Sequence, residues 1–295
     1  MEQAWNLRYA SHLGYREPET PLFRASVGSS DLVRHVEYAA ELGFAGVQFA
    51  RAVTHSRDER ARVRRAMERL GLEMGCMVYA GREIVLAPLW GTLDESARAT
   101  REAALHAAFD VADELNARQI IVFSAADPRL PLAIQHAAFI DNLKRAAELA
   151  AARGKVLCLE NMSRKSRSGT LVSHFGEAFA IARAVASPAV RIVFDTSHVQ
   201  VMDGDLIDTL RATWDAIEIV QLADNPGRYE PGSGEINFEN ILRVVHELGY
   251  RGLVEMEHEW SEPGAAAEAC SIGYLRALDA RLADQPRPAD RNYAG

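Results

Sequence analysis

Short apolar segments alternate with longer amphipathic segments along almost the whole chain, and this alternation constrains the fold more than any other feature. Segments such as QIIVFS at 119–124 and VLCLE at 156–160 lack the polar alternation of a half-exposed strand, so they predict strands buried on both faces. Each such segment is followed by one with helical spacing of its apolar residues. Eight units of this kind predict an α/β fold, a single (β/α)8 barrel.

We predict strands at residues 6–10, 46–50, 73–80, 119–124, 156–160, 190–195, 217–221 and 253–257. We predict a first helix that is capped by Ser29 or Ser30 and ended by Gly43. Further helices are predicted at residues 58–70, 97–115, 132–153, 175–186, 205–214, 238–248 and 265–282. Residues 81–95 interrupt the alternation with a longer segment that is expected to fold over one end of the sheet. Residues 1–283 should therefore form one domain, and the polar tail at 284–295 should be loosely ordered or brace a second copy in a homo-oligomer.

The composition allows a sizeable core and argues against nucleic acid as a partner. Of the 295 residues, 48% are hydrophobic, and the formal net charge is -8 without a long basic block. Cys76, Cys158 and Cys270 are too widely spaced to indicate a disulfide framework or a zinc cage. Because neither a signal peptide nor a long apolar run is evident, we expect a cytoplasmic protein without a membrane partner.

The final four predicted strands all end on polar residues, namely Glu160, Asp195, Gln221 and Glu257. The C-terminal strand ends form the site in barrels of this kind, whatever the chemistry. Three carboxylates and a carboxamide at one mouth would repel each other unless something neutralised them, and a divalent cation does so most simply. All four donors are oxygens, which favours Mg2+ or Mn2+ over zinc. Glu255 faces the same way as Glu257 and competes for the ligand role, but Glu257 is nearer the mouth.

Two loops at these strand ends carry further candidates for substrate binding. Residues 217–237, IEIVQLADNPGRYEPGSGEIN, combine a strand with a glycine-shaped loop, a type of loop that usually carries function. Arg228 in this loop is the strongest candidate for an arginine that anchors the substrate. His198 lies in the loop after Asp195, where it would hydrogen-bond a substrate oxygen or shuttle a proton.

Two other segments contribute candidates that have an ordinary structural alternative. The loop NMSRKSRSG at 161–169 contains Arg164, Lys165 and Arg167, which form either a solvated surface or a site for a substrate carboxylate or phosphate. Trp90, in the irregular segment 81–95, either covers a bound ligand or packs at the surface.

Several of these motifs resemble those of a known family. The run QLADNPGRYEPGSGEINFENIL at 221–242, the run HELGYRGLVEME at 246–257 and DTSHVQVMDGDL at 195–206 resemble the hydroxypyruvate isomerase family, within the xylose-isomerase-like barrel superfamily. The similarity is strong over residues 156–258. Before residue 156 only the order of strands and helices resembles the family. The chain departs from the family pattern at Ile219, where a histidine is frequent, and at residues 161–163.

The resemblance implies that Glu160, Asp195, Gln221 and Glu257 bind the metal ion. It also implies that Glu160 and Glu257 double as the acid and base, with His198 and Arg228 holding the substrate oxygens. The predicted activity is a metal-dependent isomerisation of a small α-hydroxy carbonyl compound through an enediolate, as between hydroxypyruvate and tartronate semialdehyde or in a related sugar acid.

Two alternatives remain open on the sequence, and a third is disfavoured. An epimerase or a carbon-oxygen lyase acting on a ketosugar or a sugar conjugate would use the same metal and glutamate pair. A nuclease of the superfamily would need a histidine-rich zinc cluster and a basic groove, and the sequence shows neither. A barrel that keeps the site without turnover would be a non-catalytic accessory protein.

Overall fold

The computed structural model describes residues 4–16 and 19–283, so the predicted tail at 284–295 lies outside the described residues. The described part of the chain forms one parallel sheet surrounded by helices, which confirms the predicted (β/α)8 architecture. Its strands are β1 Arg8–His12, β2 Gly46–Gln48, β3 Glu73–Met74, β4 Met77–Val78, β5 Gln119–Val122, β6 Val156–Leu159, β7 Val190–Asp195, β8 Ile217–Leu222 and β9 Leu253–Met256.

The barrel closes through its third strand, which is divided into two short pieces. The strand order runs β3-β2-β1-β9-β8-β7-β6-β5-β4, so the two ends of the sheet, β3 and β4, are separated in the chain only by Gly75 and Cys76. On one side the Val78 amide donates to the Ala50 carbonyl at 2.9 Å, and on the other the Tyr79 amide donates to the Ile121 carbonyl at 3.2 Å. The chain at residues 73–79 therefore connects both edges of the sheet.

Helices follow the strands and cover the outside of the sheet. They are α1 Arg24–Val27, α2 Leu32–Glu41, α3 Arg57–Leu70, α4 Arg82–Val85, α5 Glu95–Leu115, α6 Leu132–Ala152, α7 Phe175–Val185, α8 Thr196–Met202, α9 Leu206–Ala212, α10 Phe238–Glu247 and α11 Ala265–Ala280, with 3-10 turns at Ala52–Thr54 and Trp214–Ala216. No helix in the described ranges is long and apolar enough to cross a membrane.

Local capping chemistry explains several helix boundaries. The Ser56 side chain accepts a hydrogen bond from the Glu59 amide at 3.2 Å and begins α3, and Gly71 ends it with a φ of 68°. Asn116, in the left-handed conformation, ends α5 after Leu115, the boundary predicted from the sequence. The predicted caps of α2, Ser29 and Ser30, were wrong, because the Asp31 side chain accepts the Val33 amide at 3.1 Å.

Two other boundaries differ from the prediction. The first strand begins at Arg8 rather than at residue 6, because the amides of Asn6 and Leu7 donate to the Asp279 carboxylate at 2.6 and 3.0 Å. The segment after β7, predicted as a loop, forms the short helix α8, in which the Asp195 side chain accepts the His198 amide at 2.8 Å. His198 consequently lies in the first turn of α8.

Candidate active site

A cavity of about 450 Å³ opens at the C-terminal ends of the strands, where barrels carry their sites. Glu160, His198, Arg228 and Glu257 all line it. Asp195 and Gln221 lie at the same end of the sheet, paired in register on β7 and β8, and are completely buried. The structure thus brings the four polar strand ends together beneath one cavity.

Arg228 is the cationic centre of this group. Its guanidinium donates to both oxygens of Asp195, at 3.0 and 2.6 Å, and to Oε2 of Glu257. Burial alone would lower the pKa of Arg228, but Asp195 and Glu257 raise it well above its usual value. Arg228 is therefore charged, and it neutralises part of the carboxylate cluster that surrounds it.

The loop that carries Arg228 is built around Asp224. Its carboxylate accepts the amides of Gly232, Gly234 and Ile236 at 3.0, 2.8 and 3.0 Å. A Cβ atom at Gly234 would collide with the carbonyl of Asn225, so this close approach requires glycine. Asp224 therefore shapes the loop.

Glu160 and His198 face each other beside Arg228. His198 Nε2 lies 3.6 Å from Glu160 Oε1, and His198 Nδ1 accepts the Ser163 amide at 3.4 Å, which places the ring proton on Nε2. Burial lowers the pKa of His198 to about 3, so its imidazole is neutral at neutral pH. A neutral imidazole can donate from Nε2 to a substrate oxygen or, in the tautomer that carries the proton on Nδ1, bind a metal ion through Nε2.

The three carboxylates titrate differently although all are buried. Burial, with Glu257 and Asp195 nearby, raises the pKa of Glu160 well above its usual value. Burial also raises the pKa of Glu257, to about 7, against the opposing effect of Arg228. For Asp195 the paired Arg228 and the nearby His198 outweigh burial and hold the pKa below its ordinary value. Asp195 therefore stays ionised, whereas burial favours the protonated forms of Glu160 and Glu257.

A second polar layer lies directly under the cavity floor and contains Glu255. Glu255 accepts the Cys76 amide at 2.7 Å, the Cys76 thiol at 2.9 Å and Gln221 Nε2 at 3.1 Å. Gly75 fits here because a Cβ atom would collide with Glu255 Oε1. Glu255 is thus bound inside the barrel and does not line the cavity, whereas Glu257 does.

The donor set fits a divalent cation. Glu160, Asp195 and His198 each offer a ligand atom, and these atoms lie within 4.8 Å of one another. The side-chain oxygen of Gln221 is buried and accepts no hydrogen bond among the described residues, so it is an unused oxygen donor beside them. Glu257 is held by Arg228 and by Gln48 Nε2 at 2.7 Å, and its predicted role as a ligand stays a prediction.

The position of Trp90 does not support its predicted role as a ligand cover, and the alternative prediction, that it packs at the surface, was wrong. Its side chain is fully buried and does not line the cavity. It packs edge-on against Tyr79 and Phe139 at ring distances of 5.8 and 5.5 Å, and its indole nitrogen donates to the Tyr79 hydroxyl at 3.1 Å. The segment 81–95 still contributes to the cavity, through Arg82 and Val85.

In the basic loop after β6, the residues that line the cavity do not include Arg164, the residue selected from the sequence. Arg164 is exposed and lies outside the cavity, while Lys165 and Arg167 line it. The Arg164 amide contacts the Met202 sulfur at 3.5 Å, which holds this part of the loop against α8. The substrate-binding role predicted for Arg164 is therefore not supported by its position.

Two further residues of the candidate site were missed on sequence. Gln48 ends the apolar strand β2 and hydrogen-bonds Glu257, so the rule that identified Gln221 would also have found it. Tyr15 lines the cavity with a buried hydroxyl that has no partner among the described residues, and its ring lies 5.5 Å from the Arg228 guanidinium carbon. No local pattern marks Tyr15 as a site residue.

Comparison with known proteins identifies a family for this arrangement. A family model described as "Xylose isomerase-like TIM barrel" matches residues 36–278. The hydroxypyruvate isomerase of Escherichia coli K12 is 27% identical over 235 residues, which cover 79% of this chain and 89% of the relative. The 2-oxo-tetronate isomerase of Cupriavidus necator is 30% identical over 140 residues, and this match spans about half of each protein, 48% of this chain and 52% of the relative.

Solved structures agree on the fold. The AP endonuclease, family 2, from Brucella melitensis superposes with a TM-score of 0.75 at 25% identity, covering 91% of this chain and 99% of that one. The 3-keto-D-glucoside 4-epimerase from E. coli gives a TM-score of 0.73 at 20% identity, covering 92% of this chain and all of the other, a level of identity that shows the fold alone.

Proposed function

This chain belongs to the xylose isomerase-like TIM barrel family, and from that premise we propose that it is a divalent-metal-dependent isomerase of a small α-hydroxy carbonyl compound. The substrate class is a short oxo acid such as hydroxypyruvate or 2-oxo-tetronate, which the names of its relatives mention. These relatives are named isomerases, in agreement with the activity expected from the sequence.

The observation that carries the proposal is the pair formed by Glu160 and Glu257. Both carboxyl groups are buried and both line the same cavity. Burial raises the pKa of both, that of Glu257 to about 7 and that of Glu160 well above its usual value, so protonated carboxyl groups are available near neutral pH. Aldose-ketose isomerisation needs a base that removes a carbon-bound proton and an acid that delivers one to the neighbouring carbon. A pair of this kind supplies both groups.

The remaining residues prepare the substrate for that transfer. In hydroxypyruvate one glutamate oxygen accepts a proton from C3, and the other glutamate returns a proton to C2, while the hydroxyl proton moves from the C3 oxygen to the C2 oxygen. His198 Nε2 and the Tyr15 hydroxyl are donors for the substrate oxygens, and Arg228 keeps Asp195 ionised. A divalent cation held by Glu160, Asp195 and Gln221, with Glu257 or His198, would stabilise negative charge on those oxygens. The oxygen-rich donor set favours Mg2+ or Mn2+.

One observation favours an epimerase as the second candidate. The cavity of about 450 Å³ is larger than a three-carbon acid requires, and it lies within the range typical of larger ligands. A ketosugar would fit it, and inversion at one carbon would use the same two carboxylates.

The test is a panel of three- to six-carbon hydroxy acids and ketoses in heavy water, with Mg2+, with Mn2+ and after chelation. The expected result is metal-dependent conversion of an oxo acid to its isomer, with solvent deuterium at the protonated carbon. Deuterium incorporation with inversion and no shift of the carbonyl would assign the epimerase. Metal binding without exchange into any compound would instead make the chain an accessory protein, and cleavage of abasic-site DNA would make it a nuclease.

A further inference from the structure

The wall of the cavity is strongly basic although the protein as a whole is acidic. Of the sixteen residues that line the cavity, six are basic and two are acidic, while the whole chain carries a formal net charge of -8. The acidic residues are the proposed acid and base, Glu160 and Glu257. The positive charge is therefore concentrated where a substrate enters.

Part of this basic wall is not engaged in ion pairs. Elsewhere many arginines are paired with carboxylates, such as Arg60 with Glu114 at 2.8 Å. In contrast, Arg82, Lys165 and Arg167 form no ion pair within 4.0 Å in the part of the chain that the structure describes. Arg82 comes from α4 and the other two from the loop after β6, so two separate segments bring unpaired charge to one cavity.

Arg167 is the most informative of the three. Its guanidinium carbon lies 4.7 Å from the centre of the Phe123 ring, and its Nη1 atom is buried with no hydrogen-bond partner among the described residues. A buried donor without a partner destabilises the folded state, and more so when it is charged. Burial lowers the pKa of Arg167, the nearby Glu160 raises it, and the like charges of Arg82 and Arg51 lower it further. An anion bound here would give the Nη1 donor a partner and offset the charge of the neighbouring arginines.

Arg167 lies near the proposed acid-base pair without being bound to it. Arg167 acts electrostatically on Glu160 but forms no ion pair with it. Its guanidinium is thus available in the same cavity as Glu160 and Glu257. A substrate in contact with this pair can therefore also present an anionic group to Arg167.

We propose that the substrate carries an anionic group, a phosphate ester or a carboxylate, outside the two reacting carbons, and that Arg167 binds it with Arg82 and Lys165. This proposal rests on the proposed isomerase function and narrows its substrate class. A planar guanidinium stacked on an aromatic ring is suited to a bidentate contact with either group, because both present paired oxygens.

The first test measures binding without turnover. Inorganic phosphate and malonate are titrated into the full-length protein by calorimetry, with the wild type, Arg167→Leu and Arg82→Gln compared. Arg164→Leu is the control, since Arg164 is on the same loop but outside the cavity. We expect Arg167→Leu to weaken binding about 10- to 100-fold and Arg164→Leu to leave it unchanged. The anion that binds the wild type more tightly identifies the group. The proposal would be overturned if neither anion bound the wild type, or if Arg167→Leu and Arg164→Leu weakened binding equally.

The second test compares α-hydroxy carbonyl substrates of one carbon skeleton with and without a terminal phosphate or carboxylate. Arg167→Leu should lower kcat/KM about 10- to 100-fold more for the anionic substrate than for the substrate without that group, because its effect on Glu160 is common to both. An equal loss on both substrates would contradict anion recognition. If the wild type converts neither substrate, the isomerase function fails, while the binding measurement still decides whether the anion site exists.

Discussion

Arg228 donates one hydrogen bond to each carboxylate oxygen of Asp195, at 3.0 and 2.6 Å, with both side chains buried at the end of the barrel. Arg228 has a φ of 60°, a left-handed conformation that costs a residue with a Cβ atom about 1–2 kcal/mol. The loop thus accepts backbone strain at the residue that supplies the positive charge of the site. This pairing leads to the first prediction.

Replacing Arg228 with methionine should destabilise the protein by about 3–5 kcal/mol, because Asp195 would remain buried without its partner. Urea unfolding measures the free energy of unfolding. Arg211→Met provides the control, since Arg211 pairs with Glu247 at 2.6 Å on the surface, where such pairs contribute about 0–1 kcal/mol. A similar small cost for both variants would show that the buried pair does not support the fold.

Glu160→Gln and Glu257→Gln should each reduce kcat on the substrate identified by the panel by about 100- to 10,000-fold, because a carboxamide can neither accept nor deliver the proton. Circular dichroism should show that the fold is kept. Glu262→Gln changes an exposed glutamate and should leave kcat unaffected. Retention of wild-type turnover by either site variant would remove that residue from the acid-base pair.

Millimolar Mn2+ should raise the melting temperature of the wild type, since a ligand that binds only the folded state stabilises it by about 2.7 kcal/mol at a hundredfold excess over Kd. Asp195→Asn should lose most of this shift. Glu255→Gln should keep the shift, whatever its own stability, because Glu255 is bound to Cys76 and Gln221 below the cavity. Loss of the shift in Glu255→Gln alone would instead make Glu255 the ligand.

Trp90→Ala should destabilise the protein by about 3–5 kcal/mol, because it removes a fully buried side chain from the core. KM for the substrate should not change, since Trp90 does not line the cavity. Leu93→Ala, in the same segment but with a side chain 65% exposed, should have little effect on stability. A stable Trp90→Ala variant with a raised KM would restore the role of a ligand cover.

The contribution of His55 to stability should depend on pH. His55 contacts Glu19 at 2.5 Å and Glu59 at 2.7 Å, and these carboxylates raise the pKa of His55 against the effect of burial. The protonated histidine is therefore favoured by folding, so its contribution is complete below the unfolded pKa of about 6.5 and is lost as pH rises through the higher folded value. The pKa of Glu19 is lowered, which keeps this carboxylate ionised at mildly acidic pH.

Urea unfolding of the wild type and His55→Gln at about pH 5.5 and about pH 8.5 tests this dependence. The difference in unfolding free energy should be larger at the lower pH, by less than about 1 kcal/mol because the cluster is partly exposed. A difference that is equal at both pH values, or larger at the higher one, would contradict the assignment.

The residues that sequence could place are those whose position follows from strand direction. Glu160, Asp195, Gln221 and Glu257 follow or end apolar strands, and parallel strands bring such ends together. Gln48 obeys the same rule and could have been found in the same way. The helix α8 also had a local signal, because Asp195 is a favourable N-cap residue.

Other features depend on contacts that are distant in sequence. The start of β1 is set by Asp279, which is 273 residues from Asn6. Arg167 rather than Arg164 faces the cavity because its guanidinium stacks on Phe123, which directly follows β5. An irregular loop has no periodicity from which this contact could be predicted. Trp90 is in the core because Tyr79 and Phe139 surround it. Such packing cannot be inferred from one segment at a time.

The divided third strand has a consequence for how this protein can change during evolution. The Glu255 carboxylate leaves no space for a side chain at Gly75, and it also accepts hydrogen bonds from Cys76 and Gln221. A substitution at one of these four positions leaves another without its partner or without space, so its effect depends on the state of the others. We therefore expect these positions to show strong epistasis and to vary together rather than singly when the floor of the cavity is remodelled.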